Sequence, residues 1–330
     1  MSICLRRREF IAALGGAAVW PLAAGAQVRQ RLPVIGYLSA GSAASDRFLA
    51  AFRETLNQGG YVEGRNVEIL FRYAEFQHDR LPSLVADLVR RGVAVIVATG
   101  GAPALAAKKA TSTIPIVFAT GLDAVAIGFV PRLNQPGGNL TGASYLSDAY
   151  FAKGIELMHE LVPDAGTFSY LMNPTNPARQ INDLKEAENS ARILGLRLTR
   201  LYASNPAEID QTFSTLTQER TGGVMLGQDQ LIAAQWAQII ALAARFRVPV
   251  MSSSEEFVRA GGLMSYGGSY PQSLRIAGDY AARILKGDKP GDLPVQQSTR
   301  IELFINMKTA KALGLTIPLF LRGLATEVIE

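Results

Sequence analysis

The chain has 330 residues, 48% of them hydrophobic and 18% charged, with a formal net charge of +5. That balance belongs to folded domains, about two of them on the usual size range, and excludes a disordered or low-complexity protein. No run of Lys and Arg interleaved with aromatics gives a nucleic-acid footprint.

In chain order, the first residues read as an export segment. Arg6-Arg7-Arg8 form a basic start, Ile11 to Val19 a short apolar run, and Ala24-Gly25-Ala26 a small-x-small pattern before Gln27. These are the three parts of a signal peptide cleaved after Ala26, and the apolar run is too short to span a bilayer. Arg7-Arg8-Glu9-Phe10-Ile11 also fits the twin-arginine pattern, so either that route or the general secretory route is expected to deliver the chain to the periplasm. Cleavage would remove three arginines and one glutamate, a net +2, leaving +3. It would also remove Cys4, leaving no thiol for a disulfide, a nucleophile or a metal. No other segment is apolar enough to cross a membrane.

After residue 32 a repeating pattern of strand, turn and amphipathic helix predicts strands at Val34–Ser39, Val67–Tyr73, Val93–Ala98 and Ile114–Ala119. Helices are predicted at Asp46–Gln58, Arg80–Arg91, Ala102–Ala110 and Ala124–Asn134. Wholly apolar runs of about six residues between helices mark parallel strands covered on both faces, hence an α/β doubly wound sheet. Gln135-Pro136-Gly137-Gly138-Asn139 breaks the pattern, and a second set follows. Its strands are expected at Phe168–Met172, Leu196–Leu201, Gly223–Leu226, Val248–Met251, Gly262–Tyr266 and Ile301–Ile305. Its helices are expected at Ala149–Leu161, Ala178–Leu194, Ala207–Glu219, Gln230–Phe246, Gln272–Leu285, Met307–Leu313 and Pro318–Leu324. Asn176-Pro177 and Asn205-Pro206 place an Asn cap before a Pro at a helix start.

Several segments in this order carry a resemblance: VIGYLSAGS at 34–42, IPIVFATGLDAVAIG at 114–128, LNQPGGNLTGAS at 133–144 and MNPTNP at 172–177. GGLMSYG at 261–267, ILKGDKPGDLPV at 284–295 and IELFINMKTAKALGLTIP at 301–318 continue it. Behind an export signal, the chain resembles the periplasmic binding proteins of fold type I, in the branch of ABC-transporter substrate-binding proteins that includes tryptophan- and tyrosine-type binders. The resemblance implies two flavodoxin-like lobes, residues 33–142 plus 267–296 and residues 143–266 plus 297–330. A three-segment hinge would join them at Asn139–Ser144, Ser265–Gly268 and Gln296–Arg300. It also implies a monomer that captures a small organic ligand, an amino acid or aromatic carboxylate, by hinge closure, and that delivers it to a membrane permease and its ATPase.

Ligands of parallel sheets bind beyond the carboxyl ends of the strands, so the loops after strands are the candidate site. In the first lobe these are Ser39 and Ser42 after the first strand, Thr99-Gly100-Gly101-Ala102 after the third, and Gly121 and Asp123 after the fourth. The glycine turn opening a helix is the candidate carboxylate cradle, since backbone N–H groups and the helix dipole coincide there. The second lobe offers Asn173 and Asn176, Asp229, and Ser254 with Glu255, while Tyr145 and Tyr266 lie near the crossings. Each has a plainer reading as a cap, a turn or core. Tyr37, Phe118 and Trp236 read as core, and the two histidines, His78 and His159, as surface residues.

No G-x-S-x-G, H-E-x-x-H or G-x-x-x-x-G-K-[ST] occurs, so neither a catalytic residue, a metal, a cofactor nor an ATPase function is expected. A ligand-sensing accessory of a membrane receptor remains an alternative role, and an exported α/β enzyme a weaker one. A gene regulator of this fold would carry a helix-turn-helix where the export segment stands.

Overall fold

The computed structural model describes residues 32–145, 148–178, 183–219, 221–297 and 301–330. The signal segment, residues 179–182 of the long helix predicted from Ala178, and the third predicted crossing beyond Gln297 lie outside them.

The apolar runs form two sheets. The first has the order β11-β5-β4-β3-β1-β2 and is wholly parallel. Its strands are β1 (Val34–Ser39), β2 (Glu68–Tyr73), β3 (Val95–Thr99), β4 (Ile116–Thr120), β5 (Leu140–Ser144) and the short β11 (Gln296–Gln297). Every residue of β3, β4 and β5 is buried, as expected of parallel strands with helices on both faces. Helices α2 (Leu81–Arg90) and α3 (Gly101–Ala110) pack on each other along one edge, and α1 (Leu49–Gln58) lies against α10 (Tyr270–Leu285). In α2 the buried positions are Leu81, Val85 and Leu88, a single face at helical spacing, with a proline in its first turn.

The second sheet has the order β13-β12-β10-β9-β8-β6-β7. It contains β6 (Thr167–Met172), β7 (Arg197–Tyr202), β8 (Val224–Leu226), β9 (Val250–Ser252), β10 (Met264–Gly267), β12 (Glu302–Asn306) and β13 (Glu327–Ile329). All neighbours are parallel except β10 and β12. Around it lie α4 (Asp148–Leu161), α5 (Asp183–Ile193), α6 (Pro206–Glu219), α7 (Gln230–Ala234), α8 (Trp236–Phe246), α9 (Glu255–Arg259), α11 (Met307–Ala312) and α12 (Leu319–Leu324). The α6 start follows its sequence signal: Asn205 Oδ1 accepts from the Glu208 N–H, and Glu208 Oε2 accepts from the Ser204 N–H. The chain leaves the first sheet after β5, returns after β10 through α10, and leaves again after β11.

Three expectations are corrected. Ala124–Asn134 is no helix but a single turn. The Ile127 N–H donates to the Asp123 carbonyl, those of Phe129 and Val130 both return to the Ala124 carbonyl, Gly128 sits at φ +69°, and Pro131 then bars continuation. Asn139–Ser144 is no loose connection, because residues 140–144 form the buried strand β5. The glycine there serves contact, not bending: at Gly142 a Cβ would stand 2.0 Å from the Phe118 carbonyl oxygen of β4. The helix expected over Gln230–Phe246 is broken at Gln235 into α7 and α8.

Candidate functional site

The carboxyl ends of the two sheets face each other across a cavity of about 120 Å³. From the first sheet, the wall begins at the turn between β3 and α3. Gly100 occupies the N-cap position at φ +105°, a conformation that favours glycine, and no side chain caps the helix. Pro103 has no N–H, so Gly101 and Ala102 carry the free donors of the first turn, and both line the cavity. Gly121, after β4, lines it next to them.

The second sheet answers with side chains from the loop between β8 and α7. Asp229 caps α7 by accepting from the Leu231 N–H at 2.9 Å, and it also accepts from Asn173 Nδ2 at 3.2 Å and Asn176 Nδ2 at 2.8 Å. Its side chain is only 3% exposed. Across the gap, His78 of the first lobe brings Nδ1 to 3.3 Å from Thr175 Oγ1 and Nε2 to 3.8 Å from Asp229 Oδ2. Burial lowers the His78 pKa below the usual histidine range, against the opposing pull of Asp229 and Asp79. Gln230 also crosses: its Oε1 accepts from Ser39 Oγ at 3.1 Å, and its Nε2 donates to the Thr99 carbonyl at 3.0 Å.

An aromatic box completes the cavity. Phe48 follows the loop after β1, Tyr270 opens α10 and Tyr145 directly follows β5, with Tyr270 meeting each of the other two at 5.5 Å between centroids. Trp236, at the start of α8, closes the box from the second lobe, and the Arg47 guanidinium lies 5.0 Å from its ring. Burial pushes the Tyr270 hydroxyl well above the ordinary tyrosine pKa, so it is a neutral donor at physiological pH. The loop that offers Arg47 and Phe48 is tied down by Asp46, whose carboxylate accepts from the Tyr73 hydroxyl at 3.2 Å. Burial raises the Asp46 pKa, partly offset by hydrogen bonds from Tyr37 and Tyr73.

Of the residues singled out in the sequence, the cavity wall gathers Thr99, Gly100, Gly101, Ala102 and Gly121 from one side. Asn176, Asp229 and Ser254 stand on the other, with Tyr145 beside them. Ser39 is buried behind the wall, bonded to Gln230. Five others stand outside the lining of this cavity. Ser42 is spent on capping the short 3-10 turn Ala43–Ser45. The Asp123 carboxylate accepts from the Val125 and Ala126 N–H groups. Asn173 is buried against Asp229 and Thr175. Glu255 pairs with Arg259 at 2.6 Å outside the cavity, and Tyr266, partly buried, packs against the core around the second sheet. Trp236 is likewise no simple core residue, and His78 no surface one, since both line the cavity.

Phe48, Gln228, Gln230 and Tyr270 went unread. Gln228 lies in the loop after β8 and Gln230 opens the helix that follows it, so the rule that placed Asp229 reaches them as well. Tyr270 starts the helix after β10 and had the same signal. Phe48 had none, because it precedes a helix and follows no strand directly.

The chain matches the family of ABC transporter substrate binding proteins over residues 38–329. It belongs to that family. A tyrosine-binding protein of Clostridioides difficile is 29% identical to this substrate-binding protein over 273 residues, 82% of this chain and 77% of the relative. Among solved structures, a domain from Streptococcus pneumonia in complex with L-Trp is 25% identical, with a TM-score of 0.80 over 90% of this chain and 100% of the other. The ligand-free, open structure of a substrate-binding protein with adhesive properties from Clostridium difficile is also 25% identical. Its TM-score is only 0.60, over 91% of this chain and 100% of the other. At equal identity and nearly equal coverage, the substrate-binding protein described here is closer in shape to the L-Trp complex than to the open form. More remote solute-binding proteins share its fold alone, that of type I periplasmic binding proteins.

Proposed function

We propose that this protein is the periplasmic solute-capturing component of an ABC importer, and that its ligand is a small carboxylate carrying an aromatic ring. The observation that carries the reading is one cavity holding two complementary features. The uncapped N-terminus of α3 offers two backbone donors and a positive dipole end. Phe48, Tyr145, Trp236 and Tyr270 offer ring faces and edges. A carboxylate at Gly101 and Ala102 with its ring in the aromatic box uses both. The relatives named for tyrosine and found with L-Trp point to the same class of ligand.

The two lobes, 33–142 plus 267–296 and 143–266 plus 297–330, would close on the solute by bending where the chain passes between the sheets. Ligand contacts available only when both lobes are in place favour the closed state, which couples affinity to lobe angle. The closed form would then dock on a permease driven by a separate ATPase. Export would use the N-terminal segment with its paired arginines and cleavage after Ala26. The protein releases its ligand unchanged.

The experiment is a thermal-shift and calorimetric panel of L-tyrosine, L-tryptophan, aromatic acids without an amino group, branched-chain amino acids and sugars, followed by mass analysis of the ligand. Saturable binding confined to aromatic carboxylates, with ligand recovered intact, supports the reading. Preference for sugars overturns the ligand class, and consumption of the ligand overturns the binding role.

A further inference from the structure

Three consecutive residues of the second lobe, Gln228-Asp229-Gln230, reach the ends of all four leading strands of the first sheet. Gln230 bonds to Ser39 at the end of β1 and to Thr99 at the end of β3. Asp229 stands 3.8 Å from His78, which follows β2. Gln228 packs against Gly121, directly after β4, so closely that a Cβ there would lie 2.0 Å from Gln228 Oε1. The base of the segment is rigid, since Asp229 caps α7 and is held by two asparagines.

We propose that Gln228-Asp229-Gln230 is the protein's own closure key, and that Gln230 is a positioning residue that sets the Thr99-Gly100-Gly101 turn only when the lobes meet. The Gln230 amide is oriented by its partners: Oε1 receives the Ser39 hydroxyl, and Nε2 gives its hydrogens to the Thr99 carbonyl and Oγ1. Thr99 is the residue before the turn whose N–H groups form the anion cradle, so closure and cradle geometry are linked through one side chain. These bonds form between protein groups, with no ligand atom required. Part of the unliganded population is therefore closed, and the ligand selects that state. The proposal rests on the two-lobe reading but not on the chemistry of the ligand.

The test uses the full chain with Cys4→Ser and spin labels on Lys286→Cys and Ile193→Cys, both exposed and on opposite lobes. Inter-label distances are measured without ligand and with L-tryptophan or L-tyrosine. Wild-type protein is expected to show a closed component without ligand. Gln230→Ala should reduce its weight roughly thirtyfold, the effect of losing about two neutral hydrogen bonds. Gln230→Glu keeps the shape but sets an acceptor against the Thr99 carbonyl, and should reduce it at least as much, which a merely space-filling role would not produce. Ser39→Ala combined with Gln230→Ala should add less than the two separately. A ligand-free wild type with no closed component overturns the proposal, as does a Gln230→Glu variant that closes like wild type. Failure of L-tryptophan and L-tyrosine to bind would bear on the ligand class alone, because the ligand-free arm stands without them.

Discussion

At the ends of the first sheet the cavity wall joins backbone, namely the Gly100-Gly101 turn, the N–H groups that open α3 and the glycine after β4, to the rings of Phe48 and Tyr270. At the ends of the second sheet it is walled by side chains already bonded to one another, with Asp229 holding Asn173, Asn176 and the start of α7. The first surface holds the free N–H groups of Gly101 and Ala102, awaiting an acceptor. The second is a finished network that meets the first lobe by shape and by a few cross-cleft bonds. Two sheets with the same winding thus divide the work, one providing the ligand's anchor and the other the jaw that closes on it.

That division can be broken from either side. The largest effect is expected at Gly101, where a Cβ would stand 2.5 Å from Leu122 Cδ1 in its own lobe and 2.9 Å from the Ala178 Cβ across the gap. Gly101→Val should prop the lobes apart and abolish ligand-induced thermal shift, while far-ultraviolet circular dichroism stays that of wild type. On the other side, Asp229→Ala strands two asparagine amides and a helix N–H in a buried place. It should lower unfolding free energy by about 3 kcal/mol, read from urea denaturation. An unchanged midpoint would mean that the second surface is not pre-built.

The pH arm is smaller. The closed cleft holds His78 with its pKa lowered by burial, and the groups facing it are Thr175 and Asp229 from the second lobe and Asp79 beside it. Above about pH 6.5, the ordinary value in an open, solvated state, both states are neutral and closure is unhindered. Below it, the open state takes up a proton that closing must release, so affinity should fall several-fold toward pH 5. His78→Asn should flatten that dependence in calorimetric titrations. The smallest effect belongs to Arg47, which lies at the rim over Trp236 and donates to the Ala233 carbonyl at 3.4 Å. Arg47→Ala should speed ligand release about two- to fivefold in stopped-flow fluorescence, in keeping with an exposed cation–π contact.

How much of this was legible follows the same line. Strands such as Val34–Ser39 were read to the residue, because buried parallel strands are continuous apolar runs. The glycine turn at 100–101 was legible because a strand followed by Gly-Gly and a helix has few other uses. The pairings of Asp229 with two asparagines 56 and 53 residues away, or of Gln230 with Ser39, leave no mark in local pattern. A polar residue after a strand reads alike whether it faces a ligand, caps a helix or bonds across the cleft. The false helix at Ala124–Asn134 had the right composition, and Gly128 and Pro131 were the warnings. β5 leaves no strand signal in the sequence, because Gly-Asn-Leu-Thr-Gly lacks the apolar run that its neighbours have, and tertiary contact with β4 makes it a strand.

A crystal structure with the tightest ligand of the panel tests the central claim most directly. The account predicts a solute touched by both lobes, its carboxylate within hydrogen-bond distance of the Gly101 and Ala102 N–H groups and its ring among Phe48, Tyr145, Trp236 and Tyr270. A ligand held by one lobe alone, or seated in the apolar groove lined by Ile240, Phe257 and Leu313, would contradict it.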